Sequence, residues 1–265
     1  MTGRQRNSLC NPHGIGLSWR TMFPYDPTLL AAVQTTPQSI ADVVQILEAI
    51  EAVCADGDGL KWFNWLYLQV TQAVEARVNA GGFADSAWIA SLDVAFARFY
   101  FAAVESSLSS ASTGGSAPDC WQALFDRRGQ PAIARIQFAL AGMNAHINRD
   151  LPQAIVTTCK VTGLPPQHCT TQYNDYTALN TTLDSLIDAA RQTLRVRLLG
   201  DALPPASALD DTLAAWSLAA AREGAWTNAE LLWHIEDAPL IASAFLETLD
   251  GMTALASKTL LVPVP

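Results

Sequence analysis

The chain has little charge for its length and very little lysine. Of its 265 residues 15% are Asp, Glu, Lys or Arg, against about a quarter in an average globular domain. Lys61, Lys160 and Lys258 are the only lysines, the formal net charge is -9 and the pI is near 4.8. Such a chain has no clustered positive surface with which to neutralise phosphates, so nucleic acid is not an expected partner. Arg127 with Arg128, and Arg191 with Arg195 and Arg197, are the local exceptions, and they read as solvated helix faces. Cysteine is sparse as well. Cys10, Cys54, Cys120, Cys159 and Cys169 form no C-x-x-C pair, which gives no disulfide framework and fits a reduced compartment. Cys159 and Cys169 flank a Gly-Leu-Pro-Pro turn, the one placing that suits a bridge.

Long apolar runs are missing too. Even Leu92 to Val104 carries Asp93 and Arg98, short of the roughly 18 uninterrupted apolar residues that mark a membrane span, so none is expected. The first residues are basic and polar, broken at Pro12 and Gly14, and lack the apolar segment of a signal peptide. The expectation is a cytoplasmic protein with a loose N-terminal arm over residues 1–35. No G-x-S-x-G, H-E-x-x-H or G-x-x-x-x-G-K-[ST] occurs, and no dinucleotide fingerprint. Their absence weighs against the commonest hydrolases, zincins, P-loop proteins and NAD enzymes. Period-two alternation bounded by hairpin turns is absent, although the C-terminal LLVPVP reads as an extended candidate.

What the chain does have is hydrophobic residues, 50% of the total, set at helical spacing. Ile40, Val43, Val44, Leu47, Ile50 and Val53 recur at steps of three and four after Pro37, which predicts an amphipathic helix ending before Gly57. Trp62, Phe63, Trp65, Leu66, Leu68 and Val70 are apolar nearly all round, so a helix from about Leu60 to Ala80 should be central. Asp85 is placed to cap a third, with Trp88, Ile89, Leu92, Phe96, Phe99 and Tyr100 along it. That helix fades into SSLSSASTGGSAP, read as a surface linker near 108–118. Further helices are expected around Cys120 to Arg127, from Pro131 until Pro152 breaks or kinks the run, from about Tyr173 to Leu199, and after Pro205 and Pro239. The fold class is therefore all-α: one multi-helix bundle of about seven to nine helices over residues 36–265. So much interior for so little charged surface suits a thick bundle or an oligomer of identical chains.

Chemistry concentrates in ALAGMNAHINRDLP, residues 139–152. His146 and Asp150 are four apart and share a helix face, with Gly142 one turn back. A carboxylate so placed can orient the imidazole as a general base, the two can share a metal ion, or Asp150 can cap a segment beginning Leu151-Pro152. Gly142 leaves room for a ligand or for a neighbouring helix. Asn144 and Asn148 repeat the spacing on another face, and Arg149 can hold a carboxylate or phosphate. Asp93 sits among Leu92, Val94, Phe96 and Tyr100 as a buried carboxylate that needs a partner. Asn64 and Tyr67 lie within the aromatic helix as core hydrogen-bond bridges or ligand contacts, and Arg98 is placed to pair with an acid across the bundle. The cluster His234, Glu236, Asp237 has poor metal spacing, and Asp237 reads as a cap before Pro239. Asn174 and Asp175 read as caps of the following helix. Asp210-Asp211 lacks the third acid of a terpene-cyclase motif, Ala214 standing there.

The phrase QFALAGMNAHINRDLP from Gln137 resembles domain-of-unknown-function family 5995, with support from WFNWLYLQVT, FADSAWIASLDVAFARFYF, NDYTALN and AREGAWTNAELLW. The resemblance implies one helical domain and names no reaction or cofactor. It places Asn64, Tyr67, Asp93, Asn144, His146, Asn148, Arg149 and Asp150 within recurring phrases. A fainter likeness to helical zinc phospholipases, through His-x-x-x-Asp, departs where Val156 replaces an expected histidine, so no metal ligand set is assigned. The expected activity is binding or transforming a small, largely apolar molecule, with His146 as base, Asp150 orienting it, Asp93 as a second acid, and Asn64, Tyr67, Asn144, Asn148 and Arg149 as substrate contacts. The rivals are a non-catalytic binding or assembly protein with a structural polar network, and a metal-dependent hydrolase.

Overall fold

Ser39 opens a helix by a reciprocal cap: its hydroxyl accepts from Asp42 N–H at 3.2 Å while the Asp42 carboxylate accepts from Ser39 N–H at 3.0 Å. Two orphan donors of the first turn are satisfied at once, so this helix starts at Ile40 rather than at Pro37. The computed structural model describes residues 23–113, 116–197 and 217–263. Its helices are α1 (Asp26–Val33), α2 (Ile40–Val53), α3 (Gly59–Asn79), α4 (Ser86–Thr113), α5 (Asp119–Phe125), α6 (Arg135–Ala145), α7 (Leu151–Thr162), α8 (Thr171–Ala178), α9 (Asn180–Arg197), α10 (Leu218–Ile235) and α11 (Pro239–Leu260). A π-helical turn, His146–Asp150, joins α6 to α7 in one rod, and α8 and α9 follow each other with only Leu179 between them. Counted so, the described residues form nine helices and no strand. The fold is all-α, as the periodicity requires.

The α6–α7 rod is the axis. Its first half packs on α3 and α11, its second on α4 and α10, while α2 lies against α3 and α5 against α11. Tyr25 to Val33, expected in the loose arm, instead belongs to the core: Leu29 and Val33 are buried and α1 packs on α4 and α2. Each such side chain contributes on the order of 2 kcal/mol of burial. The rest of the expected arm up to residue 22, the Arg191, Arg195 and Arg197 side chains, and the helix expected after Pro205 with Asp210 and Asp211 lie outside the described residues.

Pro152 does not break the helix. It sits in the first turn of α7, and Leu151 N–H reaches back five residues to the His146 carbonyl. A proline ring clashes with the carbonyl four residues before it and offers no N–H. Widening that turn to π geometry accommodates both defects and keeps the rod continuous. Gly163, with φ of 70°, closes α7 in the left-handed region. The helix expected from Tyr173 to Leu199 starts earlier and is interrupted at Leu179 between α8 and α9, and it is capped at Thr170, whose hydroxyl accepts from Tyr173 N–H. Helix α4 continues to Thr113, further into the Ser/Ala stretch than its composition implies. Over Ser86–Ser109 it is long and apolar enough by length and composition to cross a membrane, but 56% of that window is buried against the protein's own helices. LLVPVP is helix up to Leu260 and irregular over residues 261–263.

Candidate functional site

His146 lies in the π turn, fully enclosed by aromatic rings. Phe96 of α4 stacks on it at 3.5 Å between centroids and 7°, and Tyr67 of α3 meets it edge-on at 4.7 Å. Phe63, Tyr100 and Trp121 complete the cage at 5.7 to 6.1 Å. The room left by Gly142 holds neither ligand nor helix backbone but the Phe63 ring, whose Cγ stands 2.3 Å from where a Cβ would be.

Asp150 is not a cap. Its backbone is helical, its side chain makes no capping bond, and its carboxylate is entirely buried. Oδ2 accepts from Trp121 Nε1–H at 2.8 Å and faces His146 Nδ1 at 3.0 Å, while Oδ1 accepts from Arg149 at 2.7 Å. An ionised carboxylate only accepts, so the imidazole proton must be on Nδ1 and the Nε2 lone pair is left free. Burial holds the His146 pKa below its ordinary value, opposed by the bond to Asp150. Arg149 already balances the Asp150 charge. The geometry is that of a neutral, oriented base.

His146 and Tyr67 share a cavity of about 60 Å³, walled otherwise by apolar side chains such as Leu66, Val70, Met143, Ile147, Leu183 and Leu218, with Arg222 at one side. A second cavity of about 50 Å³ adjoins it, sharing Tyr67, Val70, Phe96, Leu183 and Arg222, and Asp93 lines it. His146 Nε2 and Asp93 Oδ2 are buried without a hydrogen-bond partner, and the buried Tyr67 hydroxyl has only the Thr71 hydroxyl beside it. Burial first, then the charge of Glu75, pushes Asp93 up to about 7. Burial, followed by Asp93, drives the Tyr67 phenol well above its usual value, so it remains a donor. A larger groove of about 590 Å³, over Gln38, Glu75, Arg98 and Val161, shares no residue with either cavity.

A family model matches residues 40–263, that of a family of unknown function, DUF5995. The chain belongs to this family. No curated protein and no solved structure matches it. The DUF5995 match spans every side chain of both cavities.

Of the residues singled out in the sequence, His146, Asp150, Tyr67 and Asp93 gather around the two cavities. The remaining four are committed to helix joints instead and line neither cavity. Asn64 donates to the Leu47 carbonyl at 2.9 Å. Asn144 donates to Thr253 O and Ser257 Oγ, both at 2.9 Å, and accepts from Asn148, tying the rod to α11. Arg149 serves Asp150 and lies 3.8 Å from Asp250. Phe96 and Arg222 were missed: an aromatic on an apolar helix, and an arginine on a later one, carry no sequence signal of facing a histidine elsewhere. Arg222 donates to Asn180 Oδ1 and Tyr176 O, each at 2.7 Å.

Other expectations need correcting. Arg128 is not solvated: it is 3% exposed, clamps Asp58 through Nε and Nη2 at 2.5 to 3.2 Å and reaches Asp26 at 3.0 Å. Tyr25 adds a hydroxyl to Asp58 at 3.0 Å. This buried cluster pins α1 to the start of α3. Asp175 caps not its own helix but α4, accepting from Ala84 and Asp85 N–H at 3.0 and 2.6 Å. Asp85 caps α4 as expected, at 3.0 Å from Trp88 N. Asp237 makes no cap, since Ala238 holds that position, and His234 is exposed with Nδ1 on the Glu230 carbonyl. Arg98 donates to the Pro37 carbonyl at 2.6 Å rather than to an acid. Cys159 is buried and Cys169 exposed, both as free thiols.

Proposed function

We propose that this DUF5995 chain binds a small, largely apolar molecule bearing one hydroxyl or N–H group, and that His146 accepts or removes that proton. The observation that carries the reading is that the His146 Nε2 acceptor is buried without a partner on a side chain that shares one apolar cavity with Tyr67, whose hydroxyl meets only that of Thr71. Leaving such a group unpaired costs on the order of 1 to 3 kcal/mol, a cost that a matching ligand recovers. Asp150 sets the tautomer, Trp121 and Arg149 hold Asp150, and Asp93, near neutral in its second chamber, is the reserve acid. Together the chambers are on the order of 100 Å³, below the roughly 150 Å³ that accepts benzene in an apolar protein cavity, so the ligand has a handful of heavy atoms unless Phe96 moves.

The test uses cyclopentanol and isobutanol against cyclopentane, titrated into the intact protein and followed by ligand-observed NMR. The alcohols bind at least about tenfold more tightly than the hydrocarbon, and His146→Phe with Tyr67→Phe removes that difference while cyclopentane binding persists. Equal binding of all three, or a preference for alcohols that survives both substitutions, refutes the reading.

The rival is a purely structural network, favoured by the way Asn64, Asn144 and Asn148 spend their donors on interhelical bonds. It leaves His146 Nε2 and Asp93 Oδ2 unexplained. For the metal-dependent alternative, the described residues contain no group of three His, Cys, Asp or Glu able to hold an ion, and Asp150 already occupies His146 Nδ1.

A further inference from the structure

The outer face of α11 is largely apolar. Ile241, Met252 and Leu255 are 59 to 68% exposed, and with the half-buried Phe245 and with Thr248 and Thr259 they recur at alternating steps of four and three. At 100° per residue all six fall within about 40° of one line. That alternation is the seam spacing of a two-helix coiled coil. The opposite face, Leu249, Thr253, Ala254 and Ser257, is the one buried on the bundle. Apart from Phe245, which packs half-buried against the core, the seam adds nothing to the chain's own interior.

We propose that α11 is the contact surface of a homodimer, packed antiparallel against α11 of a second copy. Charge on this helix selects both the partner and the direction. The exposed charged side chains beside the seam are Glu247 and Lys258, eleven residues or three turns apart, and so on one flank. In a two-fold antiparallel pair the same flanks face each other. Centring the pair on Met252 places Phe245 beside Thr259, Thr248 beside Leu255, and Glu247 of each copy within one residue of Lys258 of the other. A parallel pair would set this flank against the opposite flank of the partner, where Ala242, Ala256 and Leu260 offer Glu247 and Lys258 no charge. Gly251 has no atom near where its Cβ would stand, so a second backbone can approach closely there. Two such faces, about 33 Å long, withdraw on the order of 1,000 Å² from water, the lower bound for a specific interface. The dimer is therefore one of modest affinity.

Sedimentation velocity of the full chain, from about 1 to 200 µM, tests this with three variants. The parent chain dimerises with rising concentration, and Met252→Glu, on a solvent-facing position that leaves the helical circular dichroism intact, abolishes the dimer. Glu247→Lys weakens association at least about tenfold, although it lowers the net charge from -9 to -7 and would strengthen any association limited by general repulsion. Glu247→Lys/Lys258→Glu has the parent's net charge and restores the dimer. A chain that stays monomeric throughout, a dimer indifferent to Met252→Glu, or a double variant as weak as the single one overturns the proposal. A monomer that sediments with phosphatidylcholine vesicles through this face assigns it to a lipid surface and overturns it equally.

Discussion

Asp93→Asn should make the protein more stable at alkaline pH and leave it nearly unchanged in acid. Asp93 is 9% exposed and its Oδ2 has no partner, and burial moves its carboxyl from 3.8 up to about 7. A carboxyl raised in the folded state is protonated in both states below about pH 4, where it carries no penalty. Between about 4 and 7 the folded chain holds a proton that the unfolded chain has released, so stability falls as pH rises. Above 7 the fall is complete. At about 1.4 kcal/mol for each tenfold difference in acidity, the full loss is about 4 kcal/mol. Asparagine has the same shape without the charge and removes this slope. Urea unfolding followed by tryptophan fluorescence at unit pH steps from 4 to 8 measures it, taken as the difference between variant and parent so that other carboxyls cancel. A difference that does not grow with pH, or a variant less stable than the parent at pH 8, refutes the account and means that Asp93 has a cationic partner in solution.

Gly142→Ala should cost at least about 1 to 3 kcal/mol, because the new methyl meets the Phe63 ring at 2.3 Å; chemical denaturation measures it, and Phe63→Leu in the same chain should recover part of the loss. Asp150→Asn should cost at least about 1 to 3 kcal/mol by removing the charge on which Arg149, Trp121 and His146 converge, Arg149 keeping only the Asp250 carboxylate at 3.8 Å, and ¹⁵N NMR of the His146 ring should show the loss of the single Nδ1–H tautomer. At the surface, His168 sits between Glu230 at 2.7 Å and Glu223 at 2.8 Å. Its bond to Glu223 raises the His168 pKa above 6.5 and lowers that of Glu223 below 4.5. The histidine's contribution is lost as pH rises through its raised value, and the glutamate's as pH falls through its lowered one. Protection of the His168 amide, bonded to Glu230, relative to the intrinsic exchange rate at each pH should therefore be greatest between about pH 5 and 6.5, and His168→Gln should flatten that profile.

The helices were legible wherever period and cap agreed. Ile40 to Val53 carries a clean apolar stripe after a Ser-x-x-Asp box, and α3 announced its central place through an unbroken run of large rings. Boundaries failed where a tertiary partner supplied the cap: Asp175 caps α4 from more than eighty residues away, and no local pattern records that. The π turn was illegible for a similar reason. Pro152 after a polar block reads as a stop, and only the packing of the rod on both sides keeps the helix going through a widened turn. Polar residues were legible as conspicuous but not as to role. Asn64, Asn144 and His146 stand alike in apolar runs, and what separates them is whether a carbonyl from another helix lies opposite.

That separation also distinguishes a site from a structural network. Most buried polar atoms lacking a hydrogen bond have some compensation nearby: Asp26 an ion pair with Arg128, Glu236 with Lys160, Arg149 the Asp250 carboxylate, Trp88 the Cys159 thiol. His146 Nε2 and Asp93 Oδ2 have none of these and Tyr67 Oη has only the Thr71 hydroxyl, and the three belong to side chains around two cavities that share a wall. A core built only for stability gains by replacing such groups with apolar ones of the same shape. Phenylalanine at Tyr67 would lose only the contact with the Thr71 hydroxyl, and leucine at Asp93 would end a penalty of about 4 kcal/mol. Keeping all three polar, with Asp150, Trp121 and Arg149 arranged to fix one tautomer of the histidine, makes sense for a cavity that receives something able to pair with them.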